Sequence, residues 1–99
     1  MPEATTLTPN AVIAHGEQQV STIVDGVTVL MNVGNGKYYR LDEIGTRIWA
    51  LIEKPATVGT VCDRLVQEYQ VERATCEADV MALLDGLLDS SLINVVSQA

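Results

Sequence analysis

Few residues in this chain have side chains suited to chemistry, and their spacing does not suit it. Cys62, Cys76 and His15 are the only thiol and imidazole groups among the 99 residues. A structural zinc ion takes about four such ligands, so this set cannot enclose one. A nucleophilic Cys–His pair needs the imidazole within hydrogen-bond reach of a thiol. His15 lies in an N-terminal stretch without hydrophobic period, far in sequence from both cysteines. The two thiols read instead as small buried apolar groups. Gly34-Asn35-Gly36-Lys37 has the glycines and lysine of a phosphate-binding loop. A strand-like run follows it, whereas such a loop must open a helix. The expectation is a protein with no catalytic residues, no metal and no cofactor.

Charge narrows the partners. Thirteen acidic residues stand against six basic ones, a net charge of −7. The basic residues Lys37, Arg40, Arg47, Lys54, Arg64 and Arg73 form no run. Such a chain repels nucleic acid and anionic membrane surfaces. No apolar run reaches the roughly 18 residues of a membrane span. Met1 to Asn10 lacks the basic start and apolar stretch of a signal peptide, so a cytoplasmic location is expected. Apolar residues make up 47% of the chain, enough for one packed core.

The elements that must position any site follow from periodicity. Residues 1–10 hold two prolines and three threonines. With the rest of 1–19 they read as a flexible tail or loosely attached segment, ahead of a domain over 20–96. Val20–Val24 and Val27–Val33 are β-branched-rich runs around Asp25-Gly26, the strongest short hairpin signal. A second turn at Asn35-Gly36 leads into Lys37–Leu41. The result is a three-stranded antiparallel meander with its third strand at an edge. Two-residue turns place Val24 opposite Val27, Val33 opposite Tyr38 and Leu30 opposite Leu41. One face then collects Ile23, Leu30, Tyr39 and Leu41. The other collects Val27, Val29, Met31, Val33, Tyr38 and Arg40, and is too apolar for open solvent. Either residues 8–14 or another chain should cover it.

After Leu41 the period becomes helical. Asp42 caps a helix carrying Ile44, Ile48, Leu51 and Ile52, which ends at Lys54-Pro55. Thr57 caps a second, with Val58, Val61, Cys62, Leu65, Val66 and Tyr69 on one stripe. Thr75 opens a third, reaching about Ser90 and carrying Val80, Leu83, Leu84 and Leu87. Met81 and Leu88 widen its apolar surface. Three strands followed by three helices imply an α+β fold, winged helix-turn-helix-like in its element order.

That order raises the question of DNA. The third helix carries Glu77, Asp79, Asp85 and Asp89 and, over 75–90, no basic residue, so phosphates would repel it. An edge strand offers another use, because an extended peptide can add to it through main-chain hydrogen bonds. Lys37 and Arg40 there would blunt chance self-pairing in either case.

Gly36-Lys37-Tyr38-Tyr39-Arg40-Leu41-Asp42, followed by Ile48-Trp49 and Leu51, resembles the PqqD family of pyrroloquinoline quinone biosynthesis. Asp79-Val80, then Leu83, Leu84 and Leu87, then Ser91-Leu92-Ile93, resemble the last helix of that family and its end. The likeness spans about residues 20–96. It implies a recognition element for ribosomally made, post-translationally modified peptides, binding the leader of a precursor along the third strand and third helix. The residues so implied are Lys37, Tyr38, Tyr39, Arg40, Leu41, Asp79, Val80, Met81, Leu83, Leu84 and Leu87. The implied partners are the precursor peptide and its maturation enzyme, a leader peptidase or a radical SAM enzyme. The Tyr38-Tyr39-x-Leu41 form is most similar to the stand-alone recognition half of split lasso peptide systems. Lys54-Pro55 and Ser90-Ser91 stand where the family often has glycine. The alternatives are an acidic winged helix-turn-helix regulator and a structural subunit of a larger complex.

Overall fold

A computed structural model describes residues 7–98. The chain runs β1 (Ala11–His15), β2 (Gln19–Val24), β3 (Val27–Asn32), β4 (Tyr38–Leu41), α1 (Glu43–Leu51), β5 (Ala56–Thr57), α2 (Val58–Tyr69), α3 (Arg73–Asp89) and β6 (Ile93–Gln98). The α+β class holds, and the expected meander is present as the antiparallel sheet β2-β3-β4, with β4 at one edge. Asp25 and Gly26 both take positive φ, which fixes the tight β2–β3 turn and pairs Val24 with Val27.

The second turn departs from the two-residue reading. Tyr38 lies opposite Met31 and Leu41 opposite Thr28, a slip of two residues. The cause is Asn32. Its Oδ1 accepts from the amides of Gly34 (2.8 Å) and Asn35 (3.2 Å), and its Nδ2 donates to the Ser90 carbonyl at 2.6 Å. This closes a four-residue loop on the Asn32–Lys37 pair and ties it to the end of α3. A slip of two preserves the faces, since side chains alternate with period two. Leu30 and Leu41 are buried as expected, but Ile23 is 67% exposed. The inner position opposite Ile23 belongs to Thr28, whose amide donates to Thr46 Oγ1 at 2.9 Å.

A second sheet was not foreseen. β1 pairs antiparallel with β5 on one side and with β6 on the other. Its Ala11 and Ile13 are fully buried, and Leu7 joins the same core. The expectation of a flexible segment over 1–19 is therefore corrected for 7–19; residues 1–6 lie outside the described residues. The N-terminal residues are held because the end of the chain returns beside them: the Gly16 amide donates to the Leu92 carbonyl at 2.8 Å. A side chain at Gly16 would meet the Ser91 and Leu92 backbone at 3.0–3.1 Å, so glycine is required by close approach. Residues 8–14 consequently do not cover the outer face of the meander. Val20 and Val24 on it are each 53% exposed.

The first two helices begin where the sequence placed them. Asp42 Oδ1 accepts from the Gly45 amide at 2.7 Å, and Thr57 Oγ1 from Thr60 at 3.0 Å. α3 starts earlier than Thr75, at Arg73, and so includes one basic residue. That residue is neutralised locally by Asp63 (2.5 Å) and Glu77 (2.8 Å). At the far end Leu92 donates to Leu87 and Ser91 to Leu88, the double bond pattern of a helix stop with Ser91 left-handed at φ 61°.

Candidate functional site

Main-chain direction decides what β4 can offer. The Asn32 amide donates to the Lys37 carbonyl, and the Val33 amide to the Gln18 carbonyl. Amides of even-numbered β3 residues therefore point toward β4, and odd ones toward β2. In an antiparallel ladder the bonded pairs alternate, so Lys37, Tyr39 and Leu41 turn their main-chain groups inward to β3. Tyr38 and Arg40 then turn theirs outward. The free edge presents two N–H and two C=O groups, spaced to pair with an added strand. Their side chains lie on the outer face; Tyr38 is 70% exposed. Tyr39 and Leu41 point inward, Leu41 into the core and Tyr39 half-buried against it.

Where β4 runs into α1, a cleft of about 300 Å³ opens. α1 contributes Ile44, Gly45 and Ile48, with Asp42 at its cap. α2 contributes Leu65 and Tyr69, the connection Val71, and α3 Thr75, Cys76, Asp79, Val80 and Leu83. Its lining is mostly apolar, with Asp79 exposed at the rim. The helices around it are clamped by ion pairs. Arg47 of α1 grips both carboxylate oxygens of Glu68 on α2 at 2.8 and 2.7 Å. This bidentate pair lowers the Glu68 pKa. Arg73 links α3 to Asp63 of α2.

The expected site residues separate into groups. Asp79, Val80 and Leu83 line the cleft, and Tyr38 and Arg40 present the edge. Leu84 and Leu87 do not line it; Leu84 is 0% exposed and Leu87 is also buried, both in the core cluster. Met81 does not line it either. At about 100° per residue it projects on the flank of α3 opposite Asp79 and Leu83, half-buried against the core with Leu88. Lys37 is exposed at the start of the edge. The α1 contribution was missed, as were Tyr69, Val71 and Thr75. Ile44 was read as plain core, yet it remains 37% exposed in the cleft wall. Its signal was an apolar residue in a first helical turn, and Val71's was an apolar residue in a loop.

His15 is engaged elsewhere. Its Nε2 donates to the Trp49 carbonyl at 2.8 Å, and its ring stacks on the Trp49 indole with centroids 3.7 Å apart. It belongs to β1 and not to a loose segment, and its ring is engaged by Trp49. Cys62 and Cys76 are free and buried. Burial, and then the adjacent Cys76, push the Cys62 thiol up to about 11, the reverse of what a nucleophile needs. Among the described residues no group of three or more His, Cys, Asp or Glu could hold a metal ion. None of the described helices is long and apolar enough to cross a membrane.

Residues 28–93 match the family described as coenzyme PQQ synthesis protein D (PqqD). Among solved structures, TbiB1 in complex with the TbiA(beta) leader peptide is 30% identical, with a TM-score of 0.78 over 86% of this chain and 99% of that one. A lasso peptide synthetase B1 complexed with its leader peptide is 23% identical, with a TM-score of 0.75 over 83% and 96%. The solution structure of the PqqD part of Methylobacterium extorquens PqqCD, a stand-alone recognition element for ribosomally made, modified peptides, is 20% identical. Its TM-score is 0.75 over 89% of this chain and 94% of that one. No functionally curated protein matches the sequence. The family match covers the second and third strands of the meander and all three helices, the elements that form the edge and the cleft. On that basis the chain belongs to the PqqD family.

Proposed function

We propose that this domain binds the leader of a ribosomally made precursor peptide without catalysing a reaction itself. It presents that leader to a maturation enzyme, a leader peptidase or a radical SAM enzyme. The leader adds as a fourth strand to β4 and places apolar side chains in the cleft between α1 and α3. The observation that carries this reading is that β4, whose Tyr38 and Arg40 turn main-chain groups outward, ends at Leu41, one residue before Asp42 of the cleft lining. Main-chain bonds alone accept many sequences; the cleft supplies side-chain selection. β2 is the other edge of the meander, but only β4 leads directly into the cleft, through Asp42. Similarity to a protein solved in complex with a leader peptide supports a leader as the partner.

A regulator reading DNA is disfavoured by the exposed acids of α3, and its one arginine is already held by two carboxylates. The test is an NMR titration of the labelled protein with synthetic leaders of short precursors encoded beside its gene. Outward amides should gain protection from exchange at Tyr38 and Arg40, while the inward amide of Tyr39 changes little. Saturable binding without protection at β4, or with protection at β2, would overturn strand addition there. Binding that collapses with salt as steeply as phosphate contacts do would point back to nucleic acid.

A further inference from the structure

Resting on the reading that a leader adds to β4, we infer that the domain selects leaders carrying an acidic side chain opposite Arg40. The inference begins from how the cations are used. Arg47 and Arg64 are ion-paired with Glu68, and Arg73 with Asp63 and Glu77. Among the described residues Lys37, Arg40 and Lys54 have no such partner, and two of these three stand on or beside the short β4 edge. Carboxylates are not scarce in a chain with thirteen of them. The nearest in sequence, Asp42, is engaged at the cap of α1 by the Gly45 amide, and none stands within the three strands of the meander. The outer face of the meander holds Val20, Thr22, Val24, Val27, Val29, Met31 and Tyr38, and Arg40 is its one charge.

A partner for Arg40 therefore has to arrive with another chain. In a strand added to β4, the residue opposite Arg40 projects on the same outer face, with Cβ atoms about 5 Å apart. That is the spacing at which opposite charges across two strands attract. The far end of the groove has the other sign, because Asp79 stands exposed at the cleft rim. A strand lying along β4 thus meets positive charge at Arg40 and Lys37 and negative charge at Asp79. A backbone ladder does not by itself distinguish one register from the next pair along. The charge opposite Arg40 does, and it sets which leader residues fall into the cleft.

Edge lysines and arginines also keep sheets from pairing with copies of themselves. For that purpose either sign suffices, so reversal of the charge separates the two roles. The experiment selects a displayed library of random twelve-residue peptides against the wild-type protein and against Arg40→Glu. Wild-type binders should enrich Asp or Glu at one position fixed relative to their apolar anchors. Arg40→Glu should enrich Lys or Arg at that position. Changing the acid of a selected peptide to its amide should weaken wild-type binding about fivefold, the scale of an exposed pair. Thermal melting of Arg40→Glu within a few degrees of wild type shows that the exposed site tolerates the change. Equal anchors with no charge preference, or a preference that Arg40→Glu leaves unmoved, would overturn the charge assignment and leave strand addition standing. Selected peptides that give no amide protection at Tyr38 and Arg40, or a library that yields no binders, would overturn both.

Discussion

The two sheets of this domain each have a buried central strand, β1 in one and β3 in the other, and differ in what surrounds them. In β5-β1-β6 the central strand is short and flanked on both sides, and its Ala11 and Ile13 are sealed. In β2-β3-β4 the inner face is covered by helices, while the outer face and the β4 edge stay open. The difference lies in what returns to cover each. The last strand, β6, comes back beside β1, whereas the chain leaves β4 directly into α1 and no strand among the described residues returns along that edge. Packing β1 between its two neighbours stabilises the domain; the unpaired β4 edge is where the proposed leader strand would add.

The largest effect that tests this contrast should come from the sealed sheet. Ile13→Ala should cost about 2–5 kcal/mol, by loss of buried contacts and the cavity left behind. Val24→Thr on the open face should stay within about 0.5 kcal/mol. Urea unfolding of both variants measures the gap, and similar values would erase the distinction between the sheets. Proline substitutions divide the open edge next. Arg40→Pro removes an outward donor and should lower leader affinity at least about tenfold with the fold retained. Tyr39→Pro removes an inward ladder bond and should disrupt β4 itself. Heteronuclear spectra with a leader titration distinguish the two, and an Arg40→Pro variant that binds normally would exclude the edge.

The flanks of α3 offer a smaller contrast. Leu83→Glu places a charge in the cleft wall and should weaken leader binding about tenfold, since an unpaired charge tolerates an apolar contact poorly. Met81→Glu, on the opposite flank, should leave leader affinity within about twofold, as measured by calorimetry. Any loss there should appear in the melting temperature. The smallest effect concerns the junction of α3 with the sealed sheet. Ser91 occupies a left-handed conformation that glycine adopts freely. Ser91→Gly should raise stability by about 1 kcal/mol in the same urea assay, with no change in leader affinity.

Much of the meander and all three helices were legible because their signals are local. Asp25-Gly26 dictates a turn by its own backbone preference, and Asp42 and Thr57 cap the helices that follow them. The β3–β4 register was not legible, because a side chain 58 residues from its partner fixes it: Asn32 organises its loop while bonded to Ser90. The cleft was half legible. Leu83 and Asp79 could be placed on α3, but which flank of that helix faces β4 depends on how α3 packs. Met81 and Leu83 look equivalent as apolar residues and part company only there.

By itself the sequence determined the element types, the hairpin, the caps, an acidic surface hostile to nucleic acid, and a motif order resembling one family. These follow from residue chemistry over a few positions. The tertiary structure alone decided that the segment around Ala11–His15 is a core strand, because its pairing partner, β6, lies at the other end of the chain. It also decided which main-chain groups of β4 face outward, because that alternation is set by the pairing of β3 with both neighbours. A strand's free edge is a property of what has failed to pair with it, and no single strand's sequence records that.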